Sequence, residues 1–145
     1  MDLKATMEAI SAKYNYPYKD YGNGYHSLDV TLKINDTTNR YQIVFAKIEN
    51  NKEGVPTRIL VQSRCGFYNP TVNLYNIIKE GNYLNYSTLC VIPEKDKEGR
   101  PVETLYVQSA PLIAHTPPEL LEKIVYEVGN NADIIEEKYF GGDNL

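Results

Sequence analysis

The stretch TPPELLEKIVYEVGNNADIIEEKY, residues 116–139, decides how the rest of this chain must be arranged. Leu121, Val125, Val128, Ala132, Ile135 and Tyr139 recur at steps of four and three, and Leu120 and Ile124 widen the stripe on one side. That spacing is the broad apolar face of an amphipathic helix. Glu122, Lys123, Glu127, Glu136, Glu137 and Lys138 occupy the remaining face, which the pattern assigns to solvent. Thr116, followed by Pro117, Pro118 and Glu119, has capping-box spacing, so its hydroxyl is expected to accept from the Glu119 amide. Gly141-Gly142 supplies the backbone freedom that a helix end uses. Burying an apolar side chain contributes roughly 1.5–3 kcal/mol, whereas ordering each backbone residue costs about 1–2 kcal/mol. The stripe therefore needs a surface to lie on. Gly129-Asn130-Asn131, three poor helix formers in succession, reads either as a close approach to that surface or as a hinge.

Working outward, the surface reads as a sheet. From Tyr25 the period is two: Leu28, Val30, Leu32 and Ile34 alternate with Ser27, Asp29, Thr31 and Lys33. After the turn residues 35–39, a second strand over residues 40–48 has Tyr41, Ile43 and Phe45 on one face and Val44, Ala46 and Ile48 on the other. A third, over 57–65, carries Ile59, Val61 and Cys65 on one side. Asn69-Pro70 then opens a helix with Val72, Leu74, Tyr75, Ile77 and Ile78 on its apolar face and Gly81 as its stop. Residues 84–92 and 102–109 give the fourth and fifth strands, joined by a charged hairpin loop over 93–101. Ahead of the sheet, Leu3, Met7 and Ile10 mark a short helix from Asp2 to about Tyr14, and residues 14–24, rich in Tyr, Gly and Pro, read as a connector. The expected architecture is a single α+β domain over residues 1–145, with one antiparallel five-stranded sheet packed by helices in the order α-β-β-β-α-β-β-α.

Composition excludes several function classes. A net charge of −4 and a pI near 5.2, with scattered basic residues, argue against nucleic-acid binding. No apolar run approaches the roughly 20 residues that cross a bilayer, no membrane association is expected, and the cytoplasm is the expected compartment. Cys65 and Cys90 have no zinc spacing and read as structural thiols rather than as a nucleophile served by His26 or His115. Asp133, Glu136 and Glu137 share helical spacing but are read as solvated acids, not as a metal site. Neither a cofactor nor a catalytic constellation is expected.

Two regions, Asn73-Leu74-Tyr75-Asn76-Ile77-Ile78 with Leu89-Cys90-Val91-Ile92, and Leu120-Leu121 through Ala132-Asp133-Ile134-Ile135-Glu136, carry a resemblance along with the element order. The chain resembles the YbjN-like family, described as bacterial sensory transduction regulators, within the type III secretion chaperone-like fold. The resemblance runs from about Leu3 to Tyr139. It implies a non-enzymatic homodimer that binds other proteins.

Tyrosine is the compositional anomaly, with 13 copies against 3 Phe and no Trp. In the connector, Tyr16, Tyr18 and Tyr21 are candidate partner contacts, since clustered tyrosines suit interfaces. Leu74, Ile77 and Ile78, beside the fourth and fifth strands, are the expected dimer or partner surface. A second expectation, of another class, is a small-molecule-sensing pocket between the sheet and the long helix, lined by Tyr41, Tyr86 and Tyr106.

Overall fold

A computed structural model describes residues 1–141. Helix α1 (Leu3–Tyr14) starts where the Asp2 carboxylate accepts from the Ala5 amide at 3.0 Å, and it ends at Asn15, whose φ of 56° is left-handed. Strands β1 (Tyr18–Asp20), β2 (His26–Lys33), β3 (Asn39–Asn50) and β4 (Pro56–Phe67) follow. Next come α2 (Leu74–Lys79), a 3-10 turn (Glu80–Tyr83), β5 (Thr88–Lys95), β6 (Pro101–Ser109), a second 3-10 turn (Ile113–His115) and α3 (Pro118–Tyr139). The sheet is antiparallel throughout, in the order β1-β2-β3-β4-β6-β5.

It has six strands where five are expected, because part of the connector is a strand. Tyr18–Asp20 folds back onto β2 through a turn in which Asp20 accepts from the Gly22 amide at 2.8 Å. Three residues following a proline are too few to show a period of two, so the strand exists through its pairing and not through its own pattern.

All helices lie on one face of the sheet. Leu28, Val30, Val44, Ala46, Ile59, Val61 and Val107 from the strands meet Met7 of α1, Ile77 of α2, and Leu121, Val125, Val128, Ala132 and Ile135 of α3 in one core. At roughly 1.5–3 kcal/mol per fully buried side chain, this layer is what the apolar stripe of α3 requires. Gly129 is the point of closest approach: a Cβ there would lie 3.0 Å from Val44 Cγ2 and 3.3 Å from Val30 Cβ. The helix runs unbroken through Gly129, Asn130 and Asn131, and Asn131 folds its side-chain amide back onto Glu127 O at 2.9 Å.

Several local expectations are corrected. Thr116 makes no capping box, because its buried hydroxyl donates to Leu112 O at 2.6 Å inside the preceding 3-10 turn, and α3 begins without a side-chain cap. Asn73, not Asn69, caps α2, accepting from the Asn76 amide at 3.1 Å; Asn69 caps the turn before it. At the other end of that element the chain continues through Gly81 as the 3-10 turn. Residues 84–87 do not join β5. They are lifted off the sheet by Glu127, whose carboxylate accepts from the Asn85 amide (2.9 Å), the Tyr86 amide (2.8 Å) and the Ser87 hydroxyl (2.6 Å). The β5–β6 turn is shorter than the expected loop because Asp96 gathers the Glu98 and Arg100 amides, each at 2.9 Å. Gly141, with φ 73°, closes α3, and Gly142 lies outside the described residues.

Candidate functional site

One seam in the sheet is zipped along only half its length. The β3–β4 ladder runs from Asn50↔Pro56 to Phe45↔Gln62 and stops, although β3 begins six residues earlier and β4 continues to Phe67. Below that point β3 pairs only with β2, from Leu28↔Val44 to Lys33↔Asn39. β4 meanwhile pairs only with β6, through Ser63↔Val107, Arg64↔Tyr106, Gly66↔Leu105 and Phe67↔Thr104. The register shift between Arg64 and Gly66 is a bulge, and a bulge bends and twists its strand. Gly66 belongs there because the ring of Phe140, at the end of α3, occupies the space a Cβ would take.

Side chains span the gap where the ladder ends. The Gln42 carboxamide donates to Ser63 Oγ at 2.9 Å and to Arg64 O at 2.8 Å, and the Ser63 hydroxyl donates to Ile43 O at 2.6 Å. Both polar side chains are buried. Their phase in the strands could have announced them, since Gln42 alternates with Val44 and Ala46, and Ser63 with Ile59 and Val61, at positions that the pattern assigns to the core.

Backbone orientation follows from the ladder. Asp29 donates to Pro17 O on the β1 side, so Leu28 and Val30 turn their backbone groups toward Val44 and Gln42 of β3. Tyr41 and Ile43 therefore aim theirs toward β4, as the Ser63 bond to Ile43 O requires. Opposite Tyr41 there is no paired residue of β4.

Beneath the seam lies the last part of α3. Arg40 grips the buried Asp133 carboxylate with Nη2 at 2.6 Å and Nε at 3.0 Å, and lies 3.5 Å from Glu137. Glu136, also buried, borders the same concavity of about 500 Å³ together with Asn39, Tyr41, Ile43 and Arg64. Asp133 and Glu136 are thus interior acids, not the solvated ones their helical spacing suggests, and Asp133 is compensated by Arg40 of β3. Burial, reinforced by the charge of Glu136, pushes the Cys65 thiol well above its ordinary range, which leaves it a weak nucleophile.

The face away from the helices is uncovered. Arg64 stands at its centre, donating from Nε to Tyr106 Oη at 2.8 Å and pairing with Glu94 at 3.4 Å, while Tyr106 donates to Glu94 at 2.7 Å. Burial and the Glu94 carboxylate raise the Tyr106 phenol well above its usual range. Burial also pushes Glu94 upward, but the hydroxyls of Thr104 and Tyr106 and the Arg64 guanidinium outweigh it and leave the carboxyl below its ordinary value. The Thr104 hydroxyl faces Glu94 without completing a hydrogen bond of ordinary geometry. Around this cluster Tyr41 is 54% exposed, Ile43 45% and Tyr21 40%, with the Tyr21 ring tilted against Phe45 at 5.8 Å.

The residues singled out from sequence are dispersed. Tyr16 is buried, with its ring stacked on Tyr14 at 5.3 Å. Tyr18, half-buried, bonds His26 Nδ1 at 2.7 Å, and Tyr21 alone of the three reaches the open face. Ile77 is enclosed in the core and Leu74 is half-buried, so Ile78 presents itself to solvent instead with Tyr75 and Tyr83, at 61%, 70% and 73% exposure. Tyr41 and Tyr106 face away from α3. Tyr86 sits on the lifted loop, beside Tyr14, Tyr16 and Tyr126 in a separate groove. These three tyrosines line no common pocket, and the space between sheet and α3 where one was expected is filled by valine, leucine and isoleucine.

Comparison with protein-family models, curated proteins and solved structures returns no match. No helix among the described residues is long and apolar enough to cross a membrane.

Proposed function

We propose that this chain is a non-enzymatic protein-binding domain, chaperone-like or regulatory, that works as a homodimer in the cytoplasm. The observation that carries the reading is the uncovered sheet face, where Tyr21, Tyr41, Ile43 and Phe45 surround the Arg64–Tyr106–Glu94 cluster. Tyrosine and arginine around an apolar centre are the composition of contact surfaces, and contiguous exposed apolar area on a small domain marks such surfaces. For self-association the supporting feature is α2 with its 3-10 extension. It buries only Ile77 and leaves Tyr75, Ile78 and Tyr83 in water, with Lys79 and Glu80 beside them. A patch carrying both charge signs suits an isologous contact, in which each group meets its opposite on the second copy. The α+β element order is consistent with a YbjN-like, secretion-chaperone-like relationship, which adds support at the level of the fold alone.

Light scattering on size-separated protein tests the dimer. Twice the chain mass is expected, falling to one chain mass in a Tyr75→Glu, Ile78→Glu variant; a monomeric wild type refutes it. Native mass spectrometry of protein purified from its own host separates protein binding from small-molecule sensing. The groove of about 540 Å³ among Tyr14, Tyr16, Tyr86 and Tyr126 gives the sensing reading its one foothold. A retained polypeptide supports the first, and a retained small ligand in place of one overturns it.

A further inference from the structure

We infer that the open half of the β3–β4 seam is a strand-acceptance site, taking an extended polypeptide segment of a partner between residues 39–43 of β3 and 64–67 of β4. The inference rests on the protein-binding reading and assigns it a place and a mode. Past Phe45↔Gln62 the two strands run on in the same sheet without pairing with each other, and the groups along those edges are peptide N–H and C=O groups at strand spacing. A ligand that satisfies them must present donors and acceptors at the same repeat, which is the chemistry of another peptide backbone.

The present contents of the gap make the same point. Gln42 holds Arg64 O with a primary carboxamide, a side-chain copy of the peptide group, and Ser63 holds Ile43 O with a hydroxyl. Each stands where a strand's own donors would otherwise be. Side chains that fill in for backbone can be exchanged for backbone without leaving the Ile43 and Arg64 carbonyls unpaired, and the displaced carboxamide and hydroxyl must then bond the entering strand in their turn. Toward the mouth, at Tyr41, no such substitute reaches the edge among the described residues, and the concavity borders that edge.

The surroundings define the segment. Side chains of an inserted strand alternate between two faces. Those directed inward meet α3 at Asp133 and Glu136 and have to be small; those directed outward meet Tyr41, Phe45 and Arg64 on the uncovered face and can be large. An accepted segment therefore alternates small residues with bulky ones and contains no proline at the paired positions.

A phage-displayed library of linear 12-residue peptides, selected on the whole protein, supplies the probe, and fluorescence anisotropy measures the best binders. Tyr41→Pro removes one of the amides aimed into the seam and leaves the β2 ladder, which uses Gln42 and Val44, in place. It should weaken those binders by about 10-fold or more, the size expected for a lost interfacial hydrogen bond. N-methylation at alternate peptide positions, read against wild-type protein, should weaken binding with a period of two and keeps the test decisive if the proline variant does not fold. A library that yields no binder overturns the inference. Binders indifferent both to Tyr41→Pro and to N-methylation, yet lost in Phe45→Ala, also overturn it while leaving the protein-binding reading intact.

Discussion

The same two strands behave differently in their two halves. From Phe45 to Asn50, β3 is joined to β4 by backbone alone, and Ala46 and Ile48 stand opposite Val61 and Ile59 with apolar side chains toward the helices. From Asn39 to Val44, the join is made by Gln42 and Ser63, and the helix beneath offers Asp133 and Glu136 in place of leucine and valine. Where the backbone is saturated by its neighbour, the layer below can be purely apolar. Where the β3–β4 ladder ends, polar side chains and an ion pair make the join in the interior. In one sheet, then, the zipped half is held by backbone and apolar packing and the split half by polar and charged side chains.

The strongest way to break this contrast is at Arg40. Replacing it by methionine keeps the apolar stem but leaves Asp133 in the interior without its bidentate partner, and removing one member of a buried pair costs about 3–5 kcal/mol. Arg40 is partly open to solvent at 27% side-chain exposure, so the lower end, roughly 3 kcal/mol, is expected. Denaturant titration measures the total, and amide exchange should show the loss concentrated in residues 39–43 while 45–50 keep their protection. Uniform loss along β3 would show that the two halves are a single unit.

Gln42→Leu sharpens the contrast at a smaller scale. Leucine suits the inward-facing position by size, yet it strips donors from Arg64 O and Ser63 Oγ, and a buried acceptor left unsatisfied costs about 1–3 kcal/mol. A loss near 2 kcal/mol is expected from chemical denaturation, with β4 amides beyond Ser63 exchanging faster. If Gln42→Leu is neutral or stabilising, the seam is closed by packing and not by hydrogen bonding.

How much of this could be read from sequence divides along the same line. The apolar stripe of α3 and the alternation in β2, β3 and β4 are local patterns, and they led correctly to a layer of helices on one face of an antiparallel sheet. What the chain does not show locally is which partner satisfies a polar group. Glu127 reads as a solvent residue because its partners, Asn85 to Ser87, lie 40 or more positions away, and Asp133 is 93 positions from Arg40. The requirement for glycine at the bulge is equally remote in origin, since it comes from Phe140 lying over Gly66. Even so, a glutamine and a serine both in phase with core positions on adjacent strands were visible, and they mark the seam. The tyrosine excess, by contrast, pointed to no single place, because the rings are distributed over the connector, the open face and the α2 extension, with different neighbours at each.

The mildest test concerns the anchoring of Arg64 at the edge of the open half. Glu94 holds that guanidinium directly and through Tyr106, and its carboxyl titrates below the ordinary range in the folded protein. A carboxylate with a depressed folded-state pKa stabilises the protein at pH values above its unfolded-state pKa of roughly 4.3, and that contribution disappears as pH falls through the lower folded-state value. Wild type should therefore exceed Glu94→Gln in stability from neutral pH down to about pH 5, with the two curves converging as acid protonates Glu94. The pair is partly exposed, so the difference at neutral pH should stay below about 1 kcal/mol and shrink in high salt. Urea titrations of both proteins across pH 3–7 measure it. A difference that instead grows toward low pH would mean that the protonated Glu94 carboxyl donates to an acceptor in the folded protein, and that Arg64 is oriented by Tyr106 and the Phe45 ring without help from charge.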